Sequence, residues 1–129
     1  MSVHRVRGIV AFHETDASGA YYYVNALKWA ENAEHALYRS AGVPPARFPR
    51  RAVRAEFERP LADGDEYVVE LGVERLGKTS ITYAWRVLKA DQVAVTGSHT
   101  VVHVDESGRP APVPDELRVV LKDLINDAA

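Results

Sequence analysis

From residue 51 to residue 104, apolar side chains recur at every second position, run after run. Val53, Ala55 and Phe57 alternate with charged residues, as do Tyr67, Val69, Leu71 and Val73, and then Ile81, Tyr83, Trp85 and Val87. A period of two marks strands with one face buried and the other wetted. The runs break at Ala62-Asp63-Gly64-Asp65, at Leu76-Gly77-Lys78 and at Lys89-Ala90-Asp91-Gln92. Each break has the turn chemistry of a hairpin. A last long strand over residues 93 to 104 ends at Asp105-Glu106-Ser107-Gly108. Such a succession predicts an antiparallel sheet, and its apolar face has to be covered by something.

The cover is one helix, predicted over residues 25 to about 41. Leu27, Ala30, Ala33 or Glu34, Leu37 and Ala41 follow steps of three and four, with Asn25 as N-cap and Gly42, Pro44 and Pro45 as the stop. The buried face is mostly alanine, with Leu27, Trp29 and Leu37. Small side chains let a helix approach a sheet closely. Residues 3 to 13, with Val3, Val6, Ile9, Val10 and Phe12, read as a further strand. Pro110, Pro112 and Pro114 lead into a short helix carrying Leu117, Val120, Leu121 and Leu124. The order is strand, long helix, four strands, short helix, over a single domain of residues 1–129. This is an α+β layering of one helix on one face of a five-stranded antiparallel sheet. The sheet keeps two open edges, and an open edge invites pairing. The expectation is a homodimer with sheets joined edge to edge, and a dimer of dimers, a homotetramer, beyond it.

Composition removes several classes of function. The chain has no cysteine, so thiolate zinc sites and Cys nucleophiles are excluded. A formal net charge of −2 gives no global basic field for nucleic acid or anionic membrane. No apolar run approaches the roughly 18 residues of a membrane span, and Met1–Arg5 lacks the apolar core of a signal peptide. A soluble, cytoplasmic protein is expected, with no nucleic-acid or membrane partner. His4, His13, His35, His99 and His103 make no metal-ligand pattern. No GxGxxG, P-loop or G-x-S-x-G elbow is present.

The stretch that carries chemistry is Glu14-Thr15-Asp16-Ala17-Ser18-Gly19, wedged between the first strand and the helix. A carboxylate at such a junction lies near backbone N–H groups that the helix cannot pair internally. Those donors can hold a developing oxyanion while the carboxylate attacks or directs water, as acyl transfer requires. A structural role for Asp16, as a cap or turn residue, is the competing reading. Glu31 on the helix is a reserve catalytic acid and Glu34 a weaker one. Tyr21, Tyr22 and Tyr23 are either wedges at the helix start or a wall of a binding slot. Arg47, Arg50, Arg51 and Arg54 are either a solvated patch or contacts for phosphates, for which Arg is suited.

Four ordered patterns resemble one family. Thr15-Asp16-Ala17-Ser18-Gly19 is similar to its T-D-x-x-G, and Tyr22-Tyr23-Val24-Asn25-Ala26-Leu27-Lys28-Trp29-Ala30-Glu31 to its helix start. Arg59-Pro60 through Gly64-Asp65 is similar to its R-P-x-x-x-G-D turn, and Gly77-Lys78-Thr79-Ser80 to its G-[RK]-[TS]-S hairpin. Over nearly its whole length the chain resembles the hotdog-fold acyl-CoA thioesterases, in the branch of 4-hydroxybenzoyl-CoA thioesterase.

That resemblance implies a sheet wrapped around the long central helix, with active sites at a dimer interface. It implies hydrolysis of an acyl-CoA to free acid and CoA. Asp16 would be nucleophile or general base, within a catalytic turn closed by Gly19, and the Tyr23 N–H would point at the thioester oxygen. Tyr22, Ala26 and Trp29 would shape the acyl slot. Lys78, Thr79, Ser80 and Arg54 would meet the CoA arm. No metal or cofactor is implied, since CoA is part of the substrate. Relatives carry His where Tyr23 stands and Tyr or Phe where Ala26 stands, so a His-assisted step does not transfer and the slot is expected to be wider. Thioesters on an acyl-carrier protein, and a non-catalytic acyl-CoA-binding module, remain the alternatives.

Overall fold

The computed structural model describes residues 2–125. The chain runs through β1 (His4–Ile9), a 3-10 turn at Phe12–Glu14, α1 (Val24–Ser40), β2 (Arg50–Phe57), β3 (Glu66–Leu76), β4 (Ser80–Lys89), β5 (Gln92–Val102) and α2 (Asp115–Lys122). The five strands form one antiparallel sheet in the order β1-β3-β4-β5-β2. The alternation seen in the sequence sets the two faces. Val69, Leu71 and Val73 of β3, Ile81, Tyr83, Trp85 and Val87 of β4, and His99 and Val101 of β5 are buried on the face that meets α1. Register shifts at Arg50/Ala52, Val73/Arg75 and Val87/Leu88 add residues to one strand of a pair, which bends the sheet around the helix.

α1 buries Ala26, Trp29, Ala30, Ala33, Glu34, Leu37 and Tyr38, a one-sided stripe in steps of three and one. Its alanines bring the backbone close to β3, the strand it meets most. Gly42, at φ 73°, then turns the chain in a conformation that disfavours other residues. Close approach also fixes Gly97, opposite Trp85 on β5, because a Cβ there would fall inside the indole. α2 closes one end by burying Leu117 and Leu121, and Ile125 bridges to Val73.

Three local expectations are corrected. The first strand stops at Ile9, because the chain turns into a 3-10 helix at Phe12–Glu14 instead of extending to residue 13. The helix cap is Tyr23, which makes no side-chain capping bond. Asn25 lies inside the helix and spends its amide on the Glu14 carbonyl, 2.9 Å away. The last strand ends at Val102, after which Val104 makes an isolated bridge to Pro110.

Candidate active site

The segment joining β1 to α1 is a closed loop. Thr15 and Tyr21 form an antiparallel bridge, and within it Asp16 N–H donates to the Ala20 carbonyl at 3.0 Å. The Gly19 N–H returns to the Asp16 carbonyl at 3.0 Å, with Gly19 at φ 87°. Nothing crowds the Gly19 Cα, so the glycine is there for its backbone conformation. Asp16 Oδ1 accepts the Ser18 N–H at 2.8 Å and the Ser18 hydroxyl at 2.5 Å. Its Oδ2 makes no hydrogen bond among the described residues. The Ser18 hydroxyl, and then the Ser18 N–H, hold the Asp16 carboxyl below its ordinary range. The carboxylate is therefore ionised at neutral pH, and it is exposed on the single chain.

Glu14 ties this loop to α1. Its carbonyl accepts the Tyr22 N–H at 2.7 Å and the Asn25 side chain at 2.9 Å. One carboxylate oxygen accepts the Ala11 N–H and the other the Trp29 indole N–H, both at 2.8 Å. α1 then starts without a capping side chain. The Asn25 and Ala26 N–H groups reach back to the Tyr22 and Tyr23 carbonyls, whereas the N–H groups of Tyr23 and Val24 have no partner among the described residues. Two free amides at a helix N-terminus form a place for negative charge.

Beside them runs an open groove of about 260 Å³, lined by Ala20, Tyr21, Tyr23, Phe57, Glu58 and Pro60. Tyr23 meets Phe57 edge-on at 5.7 Å and Tyr22 at 5.0 Å. Tyr22, Tyr23, Phe57 and Val53 are all exposed, a strip of apolar surface along the free β2 edge. The groove touches the Asp16 loop at Ala20, while Asp16 itself stands outside its lining.

The other residues singled out in the sequence fall in different places. Ala26 and Trp29 are buried in the core. Trp29 stacks on Tyr67 at 4.3 Å and leans on Tyr21 at 5.0 Å. The arginine cluster divides. Arg47 meets Glu106 at 3.5 Å, and Arg50 turns under α1. Arg51 and Arg54 share a concavity of about 300 Å³ with Arg75, Ser80, Thr82 and Thr100, on the sheet side away from α1. Lys78 is exposed at the β3–β4 hairpin, where its carbonyl and that of Gly77 are tied to Arg118 and that of Thr79 to the His103 N–H. A further concavity of about 700 Å³ beside β1 and β3 includes none of the candidate site residues named from the sequence. No group of three or more His, Cys, Asp or Glu that could hold a metal occurs among the described residues, and no helix among them is long and apolar enough to cross a membrane.

A second acidic site surrounds Glu34, the weaker of the two reserve acids, and its partners were not legible in the sequence. Glu34 has no exposed surface. Oε1 accepts from Arg50 Nη2 at 2.6 Å and from His99 Nε2 at 2.8 Å, and Oε2 from the Tyr38 hydroxyl at 2.6 Å. The Tyr83 hydroxyl in turn donates to Tyr38 at 3.0 Å. Burial drives the Glu34 carboxyl upward, and the hydrogen bonds from His99, Tyr38 and Arg50, with the electrostatic attraction of His99, together outweigh it, so the net direction is down. Arg50 also reaches Glu31, at 3.4 Å. Between this cluster, α1 and β2 lies a cavity of about 120 Å³, walled by Leu27, Glu31, Arg50, Val53, Trp85 and His99.

The chain is similar to known proteins in sequence and in fold. The family model of the thioesterase-like superfamily matches residues 10–121. A relative from Aquifex aeolicus, provisionally named an esterase, is 30% identical over 121 residues, covering 88% of this chain and 94% of its own length. The 1,4-dihydroxy-2-naphthoyl-CoA hydrolase of Nostoc punctiforme is 26% identical over 117 residues, 84% of this chain and 79% of that protein. Among solved structures, a Thermus thermophilus thioesterase complexed with coenzyme A and Zn superposes with a TM-score of 0.84 at 26% identity, covering 95% of this chain and 92% of that one.

Proposed function

This chain belongs to the thioesterase-like superfamily and is a thioester hydrolase of hotdog fold, and from that premise we propose that it hydrolyses acyl-CoA at the Asp16 loop, with Asp16 as nucleophile or general base. The observation that carries the reading is the uncapped start of α1. Two backbone N–H groups, of Tyr23 and Val24, are left without partners beside a loop that Glu14 holds against the same helix. A thioester carbonyl placed over those amides develops its negative charge where fixed donors already point. As nucleophile, Asp16 Oδ2 attacks the carbonyl carbon, the C–S bond breaks to release CoA as thiolate, and water then opens the resulting anhydride. As base, the same oxygen takes a proton from the water that attacks. CoA as substrate is supported by the hydrolase relative and by the CoA-complexed neighbour.

The site is completed by a second copy of the chain. The β2 edge has no neighbouring strand, and its exposed Val53 and Phe57 continue into Tyr22 and Tyr23 at the mouth of the site. Pairing there covers that strip and gives the exposed Asp16 loop a wall it lacks alone. Arg54, with Arg51, Arg75 and Ser80, offers guanidinium and hydroxyl donors suited to the phosphates of CoA; Lys78 and Thr79 stand at the adjoining hairpin. The test is thiol release from a panel of acyl-CoAs by wild type and Asp16→Asn, with the association state measured by sedimentation. The reading expects thiol release that is lost in the variant while both proteins remain dimers. Undiminished release by Asp16→Asn overturns it.

A further inference from the structure

The tip of the β3–β4 hairpin is held from behind. Arg118 of α2 donates through Nη2 to the Gly77 carbonyl at 2.8 Å and to the Lys78 carbonyl at 3.0 Å. The Lys78 carbonyl also accepts the Val113 N–H at 2.9 Å, and the Thr79 carbonyl accepts the His103 N–H at 2.8 Å. Three successive carbonyls are thus turned toward the C-terminal part of the chain. A trans peptide is planar, with its N–H and C=O on opposite sides, and no described peptide bond is cis. The bond that turns the Gly77 carbonyl inward therefore turns the Lys78 N–H outward. The bonds on the Lys78 carbonyl do the same for the Thr79 N–H. Neither N–H has a partner among the described residues. The clamp has a firm base, since Leu117 and Leu121 of α2 are buried and the Leu124 carbonyl accepts the Val73 N–H at 2.8 Å. The guanidinium pairs with no carboxylate among the described residues, Asp115 and Glu116 of its own helix included. Its charge stays at the hairpin, beside the exposed Lys78. Ser80, at the foot of the hairpin, lines the concavity that holds Arg51, Arg54 and Arg75, whose one acid is Glu74. Free N–H donors and unpaired cations in one place suit an anion.

We propose that Arg118 is a positioning residue for the CoA end of the substrate: it holds the Gly77–Lys78 and Lys78–Thr79 peptides so that the Lys78 and Thr79 N–H groups, with the Lys78 ammonium, receive a phosphate of CoA. This rests on the acyl-CoA reading above and deepens it. The hairpin stands at the end of the sheet opposite the Asp16 loop. Ser80 is level with Val102, and Val101 with Arg50 at the start of β2, whereas Phe57 at the other end of β2 meets Tyr23. Antiparallel pairing of two β2 edges about a two-fold axis sets the hairpin end of one protomer against the Asp16 end of its partner. A CoA whose thioester lies at one Asp16 loop then carries its phosphates toward the other protomer's hairpin. Arg118 touches no reacting atom. It acts on how the substrate is held and leaves the chemical step alone.

The experiment separates the two ends of the substrate. Thiol release is measured with an acyl-CoA and with the same acyl group on N-acetylcysteamine, which keeps the thioester and lacks every phosphate. Arg118→Met retains most of the stem and removes the donors. It should raise KM for the acyl-CoA by about tenfold and leave its kcat within about twofold. Its kcat/KM for the truncated thioester should equal that of wild type. Arg118→Lys, whose ammonium can still reach a carbonyl, should restore part of the KM. Equal losses on the two thioesters are the mark of a merely structural arginine and overturn the proposal. A second measurement needs no variant. In the 15N-labelled wild-type chain, the Lys78 and Thr79 amide signals should move when CoA is added and stay in place with pantetheine. Amide signals that ignore CoA also overturn the proposal. Acyl-CoA hydrolysis by a folded Arg118→Met with the KM of wild type sinks this inference and leaves the hydrolase reading standing. Absence of thiol release from acyl-CoA by wild type sinks the hydrolase reading, and the amide response to CoA then decides the inference alone.

Discussion

Two carboxylates in this chain solve opposite problems. Asp16 sits on the outside and takes both of its described side-chain hydrogen bonds from Ser18, two residues along. Glu34 sits in the core and draws on Tyr38, Arg50 and His99, at separations of 4, 16 and 65 residues. Both carboxyls are held below their ordinary range, for different reasons. Asp16 is stabilised by the Ser18 hydroxyl and N–H with almost no burial to oppose them. Glu34 is pushed up by burial first and brought down by three donors together with the electrostatic attraction of His99. The difference teaches what each charge is available for. Asp16 keeps an oxygen free for an outside reactant, while Glu34 is wholly spent on its neighbours.

The comparison breaks most visibly at Glu34. Glu34→Ala leaves Arg50 and His99 facing an empty acceptor site in the core, a loss of about 3–5 kcal/mol, measured by urea unfolding. The same residue sets an acid sensitivity with a definite sign. Its folded carboxyl titrates below the ordinary value of 4.5, so its contribution is present above that value and is lost as pH falls through the folded one. Wild type should lose stability on acidification below about pH 4.5, and Glu34→Gln, already weakened at neutral pH, should show a shallower acid slope. A slope equal to that of wild type would mean that Glu34 is protonated in the folded chain.

Asp16→Asn should have the complementary signature. Thiol release should fall by about a hundredfold or more, with the thermal midpoint unmoved, because the side chain is exposed and bonded only within its own loop. A variant that loses stability and activity in parallel would place Asp16 with Glu34 as a structural acid and erase the distinction.

What the sequence disclosed follows the same division. The loop around Asp16 is legible because its determinants are contiguous: the aspartate, the serine two places on and the glycine whose positive φ closes it. The strands are legible because their period survives bulges, and the long helix because its stripe is periodic. Glu34 falls on that stripe and shares a helical phase with Leu27, Ala30 and Leu37, so the pattern marks its position as buried without saying what pairs with it. Its partners come from β2 and β5, joined only once the sheet has closed. The latching role of Glu14, named in the sequence only as the start of the Asp16 stretch, was hidden for a related reason. Its indole contact spans 15 residues across a loop whose path no local pattern specifies. Asn25 misled because it lies inside the helix, where its side-chain NH₂ donates to the Glu14 carbonyl and its oxygen caps nothing.

Glu14 offers a test intermediate between the two acids, since it is half-buried and joins the exposed loop to the core helix. Both of its carboxylate oxygens accept from N–H donors, so in Glu14→Gln the amide NH₂ must face one of them. One bond is lost and one donor is stranded, at a cost of about 1–3 kcal/mol, read by thermal unfolding. The kcat should fall by about tenfold as the Asp16 loop loosens from α1, with KM less affected. Equal loss in KM and none in kcat would mean that the latch shapes the groove and not the reacting geometry.

The smallest effect is expected inside the Asp16 loop itself. Ser18→Ala removes the hydroxyl that does most to hold the Asp16 carboxyl low, while the backbone N–H of residue 18 still donates. The carboxyl should therefore titrate higher than in wild type. In the proposed mechanism Asp16 acts in its ionised form, and on that reading the acid limb of the kcat/KM profile should move to higher pH, with the neutral plateau showing the lesser change. The sign is the informative part. A limb that moves down, or one that stays where it was, would show that the group titrating in the rate is not Asp16, and would send the search for the reacting acid along α1 to Glu31, whose carboxylate is already shared with Arg50.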